Sequence, residues 1–287
     1  MIRIISLDIT FWGGSLQNKS SQNDVYLSCD YHEGKLYPPH LVVAELSKMK
    51  PNCISLDKPT RDADAVKTTS VLKSILDDNI PAILCVDAPL EGNRGKRHRK
   101  PVKGSVYLRQ CEKDLISDSA KSKFRPFLQP GNPLFPRITA FVRRVKDLGF
   151  DFKPLNIKKN KRLMIEVFPS ASIWVLGKAG FYSYLGDEVT ANKVVRRYKK
   201  DKHKDKQMIK DTLSGFIRFF EKLNVDLRQW LNCFTDDIYK NNIKGKVFDD
   251  SMDAAIACLT GISFLLGKYK VYGKPKNNKG SIIVPWI

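Results

Sequence analysis

The sequence predicts an α/β fold: a mixed, mostly parallel sheet with helices on both faces and a helical insertion before its last long helix. Three observations predict it. Short apolar runs recur at Ile2–Leu7, Ala82–Val86 and Leu163–Phe168, each closed by an acid or a proline. Such runs suit strands buried on both faces, although periodicity alone does not separate them from helix segments. Segments with apolar residues three and four apart alternate with them, as helices covering a sheet would. In such sheets the functional crevice lies beyond the carboxyl ends of the strands, and acids stand at or near those ends: Asp8, Asp87 and, slightly earlier, Glu166.

In chain order, IRIISL (2–7) is ended by Asp8, and Val25–Cys29 reads as a second strand. HLVVAELSKMK (40–50) and AVKTTSVLKSILDDN (65–79) have helical spacing, the second grouping Val71, Leu72, Ile75 and Leu76 on one side. Pro81 stops that helix, and PAILCVDAPL supplies the next strand before Asp87 and Pro89. Residues 91–160 read as an irregular elaboration that mixes a basic loop, Pro-rich turns (FRPFLQPGNPLFP) and the helical ITAFVRRVKDLG. RLMIEVFPS is the third buried strand. Residues 170–245 form a mainly helical insertion, for instance MIKDTLSGFIRFFEKL with Ile209, Leu213, Phe216, Ile217 and Phe220 on one stripe. VFDDSMDAAIACLTGISFLLG is the last helix, and GSIIVPWI ends the chain as a strand. Residues 1–287 read as one domain without internal repeats.

At 42% hydrophobic over 287 residues, the chain can bury a sizeable core. No run approaches the roughly 18 apolar residues of a membrane span, and the N-terminal residues lack a signal-peptide pattern, which predicts a cytoplasmic protein without a membrane partner. The six cysteines include no CxxC pair and read as free thiols, with neither a disulfide framework nor a zinc site. A formal net charge of +20 and a pI near 9.7 favour a polyanionic partner, nucleic acid above all. The basic residues cluster: Arg94, Lys96, Arg97, Arg99, Lys100 and Lys103 share one segment, and KKNKR (158–162) and RRYKKDKHKDK (196–206) form two more. Clustering suits a phosphate backbone better than solubility alone.

Each acid also has an ordinary reading. Asp8 and Asp87 begin turns, Asp249 or Asp250 caps the last helix, and Glu166, flanked by Ile165 and Val167, pairs with an arginine. Together they read differently. Two strands ending in Asp and a helix opening with Asp249, Asp250 and Asp253 bring like charges into one crevice, where they repel unless a cation lies between them. Oxygen-only ligands suit Mg2+ or Mn2+. Asp250 and Asp253 are three apart and Asp249 lies four from Asp253, so these acids share a helix face, and a helix N-terminus eases their charge. Met252, Ala255, Ile256, Leu259, Ser263 and Leu266 form the buried stripe, and Ala254, Ala255 and Ala257 allow close approach to the sheet.

IISLDITFWGG, ILCVDAPL, RQCE (109–112), IEVFPSASIWVLG and FDDSMDAAIACLTG, with the closing GSIIVPWI, occur in the order seen in domain-of-unknown-function family 429, which the chain resembles over nearly its whole length. That family is described as predicted nucleases with an RNase H-like fold. DSMDAAIA is also similar to the last active-site helix of RuvC-type Holliday-junction resolvases, another branch of that fold. The resemblance implies that Asp8 is the central-strand carboxylate, Asp87 the acid on the adjacent strand, and Asp250 and Asp253 the helix pair. Glu166 matches the family's E-V-x-P glutamate, either as a ligand or as the group that orients Arg109. Where relatives often carry a histidine just before the final acids, this chain has Phe248.

The resulting expectation is a metal-dependent nuclease acting on DNA or RNA, with Asp8, Asp87, Asp250 and Asp253 holding one or two Mg2+ or Mn2+ ions and Asp249 assisting. Such a site activates water for in-line attack on a phosphodiester and stabilises the leaving oxygen. Arg109 and the Arg94–Lys103 loop are expected on substrate phosphates. Phe11 and Trp12 read as core contacts before base-stacking groups. Two alternatives stand beside this: a nucleic-acid-binding protein without catalysis, and a phosphotransferase of the actin and sugar-kinase type. The second draws on LDITFWGGS as a phosphate loop, but the second Asp-x-Gly loop it needs reads Asp87, Ala88, Pro89 here.

Overall fold

A computed structural model describes residues 1–9, 23–45, 58–88, 90, 109–120, 135–152, 155–158, 161–184, 206–273 and 280–286. The apolar run at the N-terminus forms β1 (Ile2–Asp8), which pairs antiparallel with β2 (Asn23–His32) on one side and parallel with β5 (Ala82–Val86) on the other. β6 (Arg162–Glu166) continues the parallel part beside β5. On the far side of β2 lie β3 (Lys35–Leu36) and β4 (His40–Glu45), both antiparallel to it. The sheet runs β3-β2-β1-β5-β6 with β4 also on β2, so β1 is central.

Two expectations are corrected here. The sheet is mixed but not mostly parallel: β1–β5 and β5–β6 are parallel, whereas β1–β2, β2–β3 and β2–β4 are antiparallel. The helix expected from His40 is a strand over its described part, His40–Glu45. Its adjacent valines, Val42 and Val43, suit a pleated edge better than a helix, and only Ala44 of the six residues is buried, too few for a helical core stripe.

Strand alternation divides the core into two faces. Ile5, Leu7, Tyr26, Leu84, Val86 and Met164 point to one face, covered by α1 (Lys58–Ile75) and α3 (Phe135–Asp147) through Leu72, Ile138 and Phe141. Ile4, Val25, Leu27, Ile83, Cys85, Leu163 and Ile165 point to the other. That face takes the helices of the C-terminal half: α4 (Pro169–Tyr184), α5 (Lys206–Glu221), α6 (Arg228–Lys240) and α7 (Gly245–Leu265). The expected stripe of α5 is adjusted by one position, with Phe219 buried and Ile217 half-buried. Residues 91–160 include α3 and a further helix, α2 (Gln110–Ala120), that the apolar pattern did not announce. α2 lies against β7 (Tyr269–Tyr272), which pairs antiparallel with β8 (Ile282–Pro285). Cys29, Cys85, Cys111, Cys233 and Cys258 are free thiols. No helix among the described residues is long and apolar enough to cross a membrane.

α7 positions the site. From Phe248 to Phe264 every residue except Asp249 is buried, so this helix is enclosed on nearly all sides. Ala254, Ala255 and Ala257 keep it thin, and Gly261 lets it touch the strands: a Cβ there would lie 2.4 Å from Cys85 Sγ and 2.9 Å from Ile4 Cγ2. The helix backbone thus runs directly over β1 and β5.

Candidate metal centre

Asp8 ends the central strand. Alternation places its side chain with Ile4, on the α7 face, and Asp87, one residue past β5, shares that face with Ile83 and Cys85. The Asp87 amide donates to the Leu7 carbonyl at 3.1 Å, so the two aspartates are neighbours across the parallel ladder. From α7, Asp250 and Asp253 reach the same place. One carboxylate oxygen from each of Asp8, Asp250 and Asp253 lies within 4.8 Å of the other two. All three are buried, at 4%, 1% and 3% exposure, which decides that their charges cannot be screened by bulk water. Asp87 and Asp249 are half-buried; Asp87 acts on Asp8 through its charge, and Asp249 is not among the three that converge.

The electrostatics follow from that geometry. Burial first, then the like charges of Asp250, Asp87 and Asp253, hold the Asp8 carboxyl well above the usual carboxylate range, against a smaller opposing pull from Lys246. Burial also raises Asp250, while the Lys246 ammonium and a hydrogen bond with Asp8 pull it down. Lys246 donates to Asp250 Oδ1 across one helical turn. Burial works to lower Lys246, but Asp250, Asp8 and Asp253 outweigh it and leave it raised. Lys246 was missed by sequence reasoning although its i, i+4 spacing to Asp250 was legible.

The capping explanation of the acids does not survive. The helix starts one turn earlier than the acids suggested, with Lys244 in the N-cap place in extended conformation (φ −139°, ψ 168°) and Gly245 opening the first turn at φ +60°. Asp249 and Asp250 therefore lie in the second turn and Asp253 in the third. The helix dipole, which fades within the first turn, does little for them. Lys246 supplies the positive charge that the helix end was expected to give.

Glu166 does not join the cluster. It follows Ile165 in β6, so alternation turns it to the opposite face of the sheet, in register with Val86. There it accepts from the Leu90 amide at 3.0 Å and from Arg109 through both Nη atoms, the Nη1 contact at 2.7 Å. Arg109 also donates from Nε and Nη2 to Glu112 Oε1 at 2.9 and 2.8 Å. Its side chain is 7% exposed, so the guanidinium expected on substrate phosphate is buried between two carboxylates, and Glu166 pairs with it as the orienting reading expected. Burial outweighs Arg109 and leaves Glu166 above its ordinary range, and burial pushes the adjacent Cys111 thiol up to about 12. Arg94, Lys96, Arg97, Arg99, Lys100 and Lys103, together with Phe11 and Trp12, lie outside the described residues.

The donor set fits a hard divalent cation. It offers oxygen only, from buried carboxylates on two rigid elements, and a cation between them would relieve their repulsion. Compared with protein-family models, with curated proteins and with solved structures, the chain shows no match, so the family resemblance rests on the motifs quoted above.

Proposed function

We propose that this chain is a metal-dependent nuclease on an RNase H-like scaffold, hydrolysing phosphodiester bonds of DNA or RNA. The observation that carries the reading is the convergence of Asp8, Asp250 and Asp253 at the carboxyl end of the central strand. Asp8 on the central strand, Asp87 on its parallel neighbour and two acids on the last long helix support the arrangement that the family resemblance implies. Those three aspartates, with Asp87 beside them, would hold Mg2+ or Mn2+, which supplies Lewis-acid activation of water and of the phosphoryl oxygen. Asp87 and Asp249 are half-buried, whereas Asp8, Asp250 and Asp253 are buried. A net charge of +20 favours a polyanionic substrate.

The test uses purified protein with single-stranded, duplex and branched DNA and RNA, in Mg2+, in Mn2+ and in EDTA. Metal-dependent cleavage that disappears in Asp8→Asn and Asp253→Asn is expected. Cleavage that persists in EDTA or in both variants overturns the mechanism. Salt-sensitive binding without cleavage on any substrate would favour a non-catalytic nucleic-acid-binding protein. The phosphate-loop alternative, LDITFWGGS (7–15), lies beyond Ile9 outside the described residues.

A further inference from the structure

Three buried thiols meet where α7 lies on the sheet: Cys29 on β2, Cys85 on β5 and Cys258 on α7, at 4%, 0% and 0% exposure. Gly261, three residues beyond Cys258 and so on the same side of the helix, sits over Cys85 and Ile4. Ile4 pairs with Cys29 across β1 and β2, and that side of the helix brings Cys258 to Cys29. The two sulfurs stand 3.3 Å apart, although 229 residues separate them along the chain. Small side-chain rotations suffice to close that gap to the about 2.05 Å of a disulfide. Burial, and then the neighbouring Cys29 thiol, hold Cys258 well above the ordinary thiol range, so the closed core keeps it protonated and unreactive. Cys85 is held up in the same way.

We propose that Cys29 and Cys258 form a redox-dependent staple: two thiols in a reducing solution, and one disulfide tying α7 to β2 when the chain folds in the presence of a disulfide oxidant. In the first exchange the Cys29 thiolate attacks the oxidant, which joins one of its halves to Cys29 and releases the other as a thiolate. In the second the Cys258 thiolate attacks the Cys29 sulfur and displaces the half bound there. The protons given up by the two cysteines pass to the two released thiolates; the pair loses two electrons and the oxidant gains them. The exchange belongs to the folding chain, because the finished core shields both sulfurs. Folding brings together two sulfurs that are far apart in the unfolded chain, and by linkage the bond stabilises the fold as much as the fold stabilises the bond. The staple falls on the helix that carries Asp250 and Asp253, five residues beyond Asp253. It does not depend on those acids binding a metal.

The experiment refolds the full chain from urea in mixtures of reduced and oxidised glutathione, traps the remaining thiols by alkylation and maps the linkages by peptide mass spectrometry. A Cys29–Cys258 disulfide is expected in the refolded chain. At a mixture that oxidises half of the folded chain, its yield should drop at least about tenfold when urea keeps the chain unfolded. Urea unfolding then compares the two forms, and the oxidised protein is expected to have its midpoint raised by about 1 M. That shift should vanish in Cys29→Ala and in Cys258→Ala and persist in Cys85→Ala. The linkage map and the midpoint are read on wild type, so they decide the matter even where a variant does not fold. Three results overturn the inference: Cys29 and Cys258 left as thiols or as separate glutathione adducts in every mixture, a bond from either to another cysteine in its place, or a midpoint that oxidation leaves unchanged or lowers. Two thiols that merely pack together in the core would give the first.

Discussion

Gly261→Ala tests the packing that brings α7 to the sheet. The added Cβ would sit 2.4 Å from Cys85 Sγ and 2.9 Å from Ile4 Cγ2, whereas ordinary contact begins at 3.4 Å. Relief therefore needs about 1 Å of separation at the sulfur. Cys85 and Ile4 are both fully buried on strands flanked by other strands, so neither can turn aside into solvent. Two terms oppose each other. Alanine is better than glycine inside a helix by about 1 kcal/mol, and overpacking a closed core costs about 1–3 kcal/mol. Because the sulfur contact is far inside the ordinary limit, the upper part of that range applies, and a net loss of about 2 kcal/mol is expected. Cys85→Ala removes the nearest clashing atom at a cost of its own of about 1 kcal/mol. In that background Gly261→Ala should cost at least about 1 kcal/mol less, the remainder coming from Ile4. Urea unfolding of wild type, both single variants and the double variant measures the coupling. A stabilising Gly261→Ala, or an equal cost in both backgrounds, would refute the close approach of α7 to β1 and β5.

Three further outcomes are expected. Asp8 has its folded pKa raised, so the native state keeps a proton that the unfolded chain releases near pH 4; in EDTA, stability should fall as pH rises from there through the folded value, by up to about 1.4 kcal/mol per pH unit. Asp8→Asn should lose that component and melt higher than wild type at pH 7 in EDTA, while losing the stabilisation that Mn2+ gives; urea or thermal unfolding across pH 4–8 decides it, and an unchanged pH dependence counts against the buried cluster. Glu166→Gln removes the charge of one of the two carboxylates that enclose the buried Arg109 guanidinium, so a loss of about 3 kcal/mol in urea is expected with Mn2+ affinity unchanged, and weakened Mn2+ binding would return Glu166 to the metal centre. Gly245→Ala should cost about 1–2 kcal/mol in the same assay, because φ is +60° there while no atom lies within 4 Å of the added Cβ, so the cost is conformational alone.

The parts of this fold that the sequence made legible are those where one local pattern decides the outcome. β1, β5 and β6 are short, mostly apolar runs buried on both faces, and each is closed by an acid or a proline that marks its end. HLVVAE was misread because its three-four spacing is accidental: it pairs with the preceding strand β2, from Ser28↔His40 to Asn23↔Glu45, and edge pairing rather than periodicity fixed its state. The acids of α7 were found by their number but misplaced on the helix. Their position depends on where the helix begins, and Gly245 at positive φ, rather than an acidic cap, marks that point. The burial of Arg109 was not legible for a different reason. An arginine beside an acid in sequence has no visible orientation, and only the pairing of β5 with β6 puts Glu166 on the face where Arg109 and Glu112 enclose it.

Asp250 and Asp253 break the pattern of the helix that carries them. Every other residue from Met252 to Phe264 is what a fully enclosed helix requires: apolar, small, or a hydroxyl returned to its own backbone, as Thr260 and Ser263 donate to Ile256 and Leu259 carbonyls. Two buried acids in such a helix cost stability that packing has to offset, and the offsets are visible one by one. Asp8 is driven toward its protonated form and shares a hydrogen bond with Asp250, and Lys246 brings an ammonium to Asp250 from the surface. Lys246 thus sets one monovalent cation against these carboxylates. A divalent ion held by them would offset more of their charge from a single centre. On the proposed metal-centre reading, an ion there would account for the local conflict between sequence pattern and burial, at a place where sequence rules are expected to be broken for function.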